Sequence, residues 1–443
     1  RESLLELAAQ SRKRESTRSW QEQCAPKICY PCLYAESIQE DLQTRSQGLA
    51  ELRKEVEAQE KNVVVRRFYL NAIDEQLTIL NMIAAIALGD QEAVWQSNLR
   101  LYGEPGESEW QRELKIALQV LSATLAEARH HELAGPLAQE IAAQLRAWDI
   151  SLSDIADEDL FVLPQETTQQ RGRKVPADEK KQFASSVVRA FFEDVLHAYG
   201  ALDWKVFTSP ARDYTYVDPN ERKLVLPQKS FTVAKIRQLL AEEIETHTFR
   251  ALAGQHSSLG LLSLGLARQE ATEEGLAKWY IRRVNQVVGV DQSENTWIGT
   301  LAVGLAAGVL APALSFQDLR IFLEKFYFLH QLLSGGRSTE DALDVAKRSA
   351  WARACRTFRG VPDLSQLGCC SLKDRIYLQG HLDLSRYFER GGDEQRLWVG
   401  GVGINDLDDL AELNILTPSF PHQHFALATD LIDQLARYSV KTE

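Results

Sequence analysis

Apolar residues recur at helical spacing over most of the first 150 positions of the chain. Residues 1–35 read as irregular, residues 36–61 as a charged, solvated helix, and residues 63–88 (VVVRRFYLNAIDEQLTILNMIAAIAL) as a more buried helix that ends near Gly89. Residues 102–106 (YGEPG) form a turn, and 107–131 and 136–148 are two further helices. The polar stretch 164–179 (PQETTQQRGRKVPADE) has two prolines and few apolar positions, so it marks a linker between an N-terminal helical region, 1–163, and a second region, 180–443. Beyond it the pattern predicts a helix over 180–199, then short strands at 204–208, 214–217 and 223–226, with Asp218-Pro219-Asn220 as a turn. Ser230 or Thr232 caps a helix that runs through His247 to about residue 253. The chain stays helical to about residue 355. Its last 85 or so residues mix loops, short strands and a terminal helix over 424–438. The fold class is therefore α+β and predominantly helical, with no internal repeat.

Composition narrows the function classes. The chain has 443 residues, 44% of them hydrophobic and 25% charged, as a globular protein with a large core requires. Fifty Lys and Arg stand against 62 Asp and Glu, a formal net charge of −12. That balance argues against a nucleic-acid partner, whose footprint is clustered positive charge. Six cysteines are few for this length, and the first residues contain no apolar targeting core, so a reducing, cytoplasmic location is expected. Residues 297–316 (WIGTLAVGLAAGVLAPALSF) are about long enough to span a membrane. They are rich in Ala and Gly, contain Pro312 and lack a basic flank, so they read as a buried core helix, and no membrane partner is expected.

The informative chemistry lies in the segment 240–250 (LAEEIETHTFR), a helix that follows the small sheet. It carries Glu242, Glu243 and His247, and a second acidic pair, Glu273-Glu274, follows at 271–277 (ATEEGLA). Two helix residues plus a carboxylate from a later helix is the layout that holds zinc in HExxH-type hydrolases, where a neighbouring Glu activates the metal-bound water. On a regular α-helix Glu243 and His247, four apart, share a face, whereas Glu242 and His247, five apart, do not. Glu242 joins His247 only if the helix carries a π-bulge. Two ligand sets stand open: Glu242, His247 and Glu274 with Glu243 as base, or Glu243, His247 and Glu274.

These segments resemble the QEGLA-motif family, the flavohaemoglobin expression-modulating and tubulin tyrosine carboxypeptidase-like metallopeptidases. The signature H-E-I-x-T-H matches Glu242-Glu243-Ile244-Glu245-Thr246-His247, and Q/E-E-G-L-A matches Glu273-Glu274-Gly275-Leu276-Ala277. Weaker matches are 30–34 (YPCLY), 101–105 (LYGEP), 358–360 (FRG) and 373–380 (KDRIYLQG). The resemblance implies a zincin-like (gluzincin) core, with His247 and Glu274 as ligands and Glu243 as general base. Glu242 stands where the first motif histidine belongs. The implied function is a metal-dependent peptidase resembling carboxypeptidases, which cleaves the C-terminal bond of a peptide or peptide-like substrate. The metal is zinc, or iron or manganese if the added carboxylate hardens the site. The alternatives are a pseudoenzyme acting as a binding or regulatory module and a non-haem iron or manganese enzyme with a Glu/His/Glu site.

Arg250, Arg356 and Arg359 are candidates for clamping a substrate carboxylate. Tyr377, and less so Tyr280, are candidate oxyanion donors. His256 could reach the metal as a substitute ligand, and His422-Gln423-His424 reads as a loop or helix start. The spacing of Cys24, Cys29 and Cys32 is reminiscent of iron–sulfur ligation, which needs a fourth cysteine.

Overall fold

The computed structural model describes residues 36–150, 176–211, 214–289 and 296–441. The Cys24/Cys29/Cys32 cluster, the segment 30–34 and the linker residues 164–175 lie outside them. The described chain is predominantly helical with two small sheets, in agreement with the α+β class. It divides into two compact units. Among the described residues, 36–50, 76–150 and 296–378 form the first, and 51–75, 176–289 and 379–441 form the second. The chain thus passes repeatedly between units, and residues 296–378, inside the expected 180–443 region, group with the first.

The first unit is all helical. It holds α3 (Gln91–Tyr102), α4 (Ser108–Ala128), α5 (Ala134–Ala147), α10 (Thr296–Ala306), α11 (Phe316–Ser334) and α12 (Thr339–Thr357). Trp110, Leu114, Ala117, Leu121, Leu125 and Ala128 recur every three or four residues along α4 and are all buried, so the helix exists as a core-facing stripe. In α10 every residue from Trp297 to Ala306 is buried. That helix accounts for the apolar run at 297–316 only in part, because the chain leaves it before Gly308, which has a positive φ of 76°. Among the described residues no helix is long and apolar enough to cross a membrane. Ser315 and Ser338 cap α11 and α12 by accepting from the backbone N–H of Asp318 and Asp341.

One buried ion pair ties distant segments of this unit. Arg375 Nε and Nη2 donate to the two Glu113 oxygens at 3.0 and 3.1 Å, and both side chains are only 2% exposed. The guanidinium lies 4.3 Å from the Trp110 ring centroid and also donates to the Tyr102 carbonyl. Arg375 thereby joins the segment around residue 375 to the turn at 101–105.

The second unit carries the strands. β2 (Lys205–Ser209) runs parallel and β3 (Tyr216–Asp218) antiparallel to the central, fully buried β4 (Lys223–Pro227). β1 (Gln182–Ala184) pairs antiparallel with β5 (Ser230–Thr232), and Phe183 faces Phe231 across the pair. Thr232 ends β5 and caps α7 (Val233–Leu239), its side chain accepting from Lys235 N–H. A single core joins α6 (Ser185–Ala198), the strands, α7 and its continuation, α9 (Glu270–Val288) and residues Leu384 to Leu435.

Two glycines fix how α9 meets α13 (Ile376–Glu389). A Cβ on Gly275 would lie 2.5 Å from the Gly380 backbone, and a Cβ on Gly380 would lie 1.8 Å from the Ala271 carbonyl oxygen. Neither position has room for any side chain. The short strands expected after residue 355 are absent among the described residues, where 3₁₀ turns such as Glu394–Trp398, Ile404–Asp406 and Phe425–Leu427 stand instead. The terminal helix α15 (Leu431–Lys441) starts later than the expected 424. The physical reason is competition for peptide groups. Arg237 Nη1 donates to the carbonyls of Ala426 and Ala428 at 2.8 Å each, and Ala426 N–H donates to Glu245 at 2.6 Å, so these groups cannot join a helix.

Glu113→Ala leaves a buried guanidinium without its carboxylate and is expected to destabilise the protein by about 3–5 kcal/mol in urea denaturation. Gly380→Ala is expected to cost about 1–3 kcal/mol or more by forcing α13 away from the Ala271 carbonyl, read as a lower denaturation midpoint.

Candidate metal centre

The helix that begins at Val233 does not stay regular. Over Leu240–Thr248 it becomes a π-helix, flanked by α7 and by α8 (Phe249–Gln255). Backbone bonds in a π-helix reach the fifth residue, so side chains five apart come onto one face. The hydroxyls of Thr246 and Thr248 reinforce the wide turn by donating to the carbonyls of Ala241 and Glu243, each five residues back, at 2.6 and 2.7 Å. The inward face, Leu240, Ala241, Ile244, Glu245, Thr246 and Thr248, is fully buried. Glu242, Glu243 and His247 lie on the half-buried side.

The wide turn brings together Glu242 and His247, and α9 adds Glu274. One ligand atom from each of the three lies within 4.8 Å of the others. Of the two ligand sets open in the sequence, this is the set whose atoms converge. His247 Nδ1 lies 2.6 Å from Glu273 Oε1, which leaves Nε2 as the nitrogen available to a ligand. Glu273 in turn lies 3.4 Å from Arg250. A carboxylate behind the histidine is the usual way an imidazole ligand is oriented, so the donor set suits a divalent ion.

Charge in this cluster is set by competition between burial and neighbours. Burial acts against the His247 imidazolium, but the Glu273 hydrogen bond and charge override it and raise its pKa to about 10. For Glu273 burial is overridden in the same way by His247 and Arg250, and its carboxyl falls to about 2. Burial would lift Glu242, yet the Lys278 ammonium, 2.7 Å from its Oε1, holds it below the ordinary carboxylate range. Glu243 has no such partner. Burial, then the charges of Glu242 and Glu274, push it up to about 7 against the pull of His247. Burial also raises Glu274.

Several candidates have other employment. Arg250 is 1% exposed and donates to the carbonyls of Leu397 and Val402, to Gln269 and towards Glu273. These partners occupy its guanidinium and place it behind Glu273. Tyr280 is buried, donates to Glu245 and lies 2.6 Å from His424 Nδ1, so its hydroxyl is committed. His256 Nδ1 is 2.9 Å from the Leu252 carbonyl of its own helix, and its ring meets Phe420. The segment 422–424 is a loop laid on the π-helix, with His422 Nε2 2.7 Å from the Glu245 carbonyl and its ring stacked on Trp398. Arg356, Arg359 and Tyr377 belong to the first unit, not to the unit that holds the cluster. There Arg356 pairs with Asp374 and lies over the Tyr377 ring.

Two cations escaped the sequence reading. Lys278 follows Glu274 by four residues on α9, a spacing that could have exposed it. Lys235, in the first turn of α7, feels the charges of Glu242, Glu243 and Lys278, and burial lowers its pKa. Glu273, noted only as half of an acidic pair, is the partner that orients His247.

No protein-family profile matches the chain. Over 194 residues, 42% of its length, the chain is 28% identical to a mouse (Mus musculus) protein named "Putative tyrosine carboxypeptidase MATCAP2". The match spans 32% of that protein, about a third of its length.

Glu273→Gln removes the charge behind His247 without changing its shape. It is expected to weaken zinc binding about 10- to 100-fold, measured by calorimetric titration of the chelator-stripped protein.

Proposed function

We propose that the second unit is a zincin-like metallopeptidase that removes a C-terminal residue from a peptide or peptide-like substrate. The observation that carries this reading is the convergence of Glu242, His247 and Glu274 on one side of the π-helix, with Glu243 beside them. The partial similarity to a protein named as a tyrosine carboxypeptidase supports the same class, as does the resemblance to the QEGLA-motif family. Zinc is the favoured ion, since it accepts a mixed histidine and carboxylate set, and iron or manganese are the harder alternatives. Once bound, such an ion supplies Lewis-acid polarisation of the scissile carbonyl and acidifies a water.

The remaining work falls to side chains of this chain. Glu242, His247 and Glu274 hold the ion. Glu243, buried beside the three ligands, takes a proton from the attacking water and returns it to the leaving amine. Lys235, whose charge acts on Glu242 and Glu243, joins Arg250, Arg356 and Arg359 as a candidate to receive the substrate's terminal carboxylate. The substrate is a free peptide end, and the sparse cysteines suit a cytoplasmic setting.

The test is hydrolysis of peptides with free C-termini by the full chain. Zinc-dependent release of the terminal residue, lost in chelator and restored by zinc, is expected. Glu243→Gln should retain metal while its rate falls about 10²- to 10⁴-fold. Hydrolysis that survives chelator, or a protein that takes up no divalent ion, would reject the proposal.

A further inference from the structure

The triad contains two carboxylates and one imidazole, a more negative set than two imidazoles and one carboxylate. A more negative donor set weakens zinc as a Lewis acid and suits harder ions. The structure places a cation against one of those carboxylates. Lys278 Nζ lies 2.7 Å from Glu242 Oε1, and the two side chains are 23% and 19% exposed. We propose that Lys278 is a positioning residue of this centre: paired with Glu242, it cancels that ligand's charge and occupies one of its oxygens. Toward a divalent ion the pair then acts as a neutral, one-oxygen donor, equal in charge to an imidazole. This inference rests on the metal reading given above.

Three features support it. First, Lys278 Nζ bonds Glu242 at Oε1, so that oxygen is engaged by a cation. Lysine suits this role, because its ammonium is a compact point charge, whereas a guanidinium forks across both carboxylate oxygens. Second, Lys278 follows the ligand Glu274 by four residues on α9, so it shares that ligand's helix face and is placed by the same backbone. That backbone is fixed by the close approach of Gly275 to Gly380. Third, the pair is half-buried, where a neighbouring charge is screened less than on an open surface.

The consequence is metal selectivity. A Glu242 freed of Lys278 regains its full charge and both oxygens. Calcium and manganese sites favour such oxygen-rich surroundings, and calcium sites use bidentate carboxylates, whereas zinc accepts low coordination number with nitrogen among its ligands. Lys278 therefore tilts the centre toward zinc.

The experiment is calorimetric titration of the chelator-stripped full chain with zinc chloride and with manganese chloride. The proteins are the parent, Lys278→Met, Glu242→His and the double variant, each checked by circular dichroism. Lys278→Met is expected to bind manganese more tightly and to narrow the zinc-over-manganese preference by about tenfold, the scale on which partners of metal ligands act. In the Glu242→His background the same change should shift the preference clearly less, because the ligand that Lys278 bonds is gone and only its charge on Glu274 remains. Lys278→Arg, which closes both Glu242 oxygens, should weaken both ions. A preference unchanged in Lys278→Met, or shifted equally in both backgrounds, overturns the role of Lys278 while leaving the metal centre intact. Failure of all the proteins to bind either ion overturns the metal reading itself and this inference with it.

Discussion

Between Leu240 and Thr248 the backbone bonds five residues on rather than four, and this wide turn decides which side chains can act together. It is an expensive conformation, and its supports are visible. Thr246 and Thr248 bond back to the carbonyls five residues earlier. The Glu245 carbonyl takes His422, and the Glu245 carboxylate, buried and raised to about 8, takes Tyr280 and the Ala426 amide. The loop at 419–428 is thus bound to the π-helix on the side opposite Glu242 and His247. Aromatic contacts extend the same support, with Phe249 meeting Tyr199, Trp398, Phe420 and His422 edge-on.

On the outward side, charges alternate in a chain from Arg250 through Glu273, His247 and Glu242 to Lys278. Each neighbour lowers the cost of burying the next. Among the described residues Glu243 has no cation bonded to it, and burial therefore raises its carboxyl where Glu242 falls. Two adjacent residues of the same type therefore hold protons differently. The difference comes from the direction each points on a widened helix, not from sequence. Glu273 both orients the His247 ring through Nδ1 and stabilises its charged form, so an ion taken at Nε2 would have to displace the proton held there.

Helices with long apolar stripes were legible in the sequence, since burial alone defines them: α2 (Val63–Leu88) and α4 match the expected spans closely. The cap at Thr232 was legible for the same local reason. The triad was legible as two alternatives. The choice between them turns on a single extra residue per turn, which no local propensity encodes and which depends on hydroxyl, loop and core contacts far along the chain. The partners of Arg250, Tyr280 and His256 were not legible, because a functional group and a structural one look alike in sequence. Arg250 meets carbonyls near residues 397 and 402, and Tyr280 meets His424, contacts that sequence spacing does not reveal. The start of the last helix was misplaced because long-range donors, Arg237 and Glu245, claim its first peptide groups.

The second unit is discontinuous, and one core runs from Phe68 to Leu435. A ribosome delivers these parts in order, so the apolar faces of α6, α7 and α9 emerge long before the segment after residue 379 that covers them. The nascent unit has to wait, partly open, until the segment after residue 379 is made. Closing a core over such separations is slow and leaves sticky surface exposed in the interval. The segment from residue 379 to Leu435 therefore acts as this unit's closing step. A messenger cut before residue 379 would yield not a smaller working protein but a substrate for chaperones and proteases.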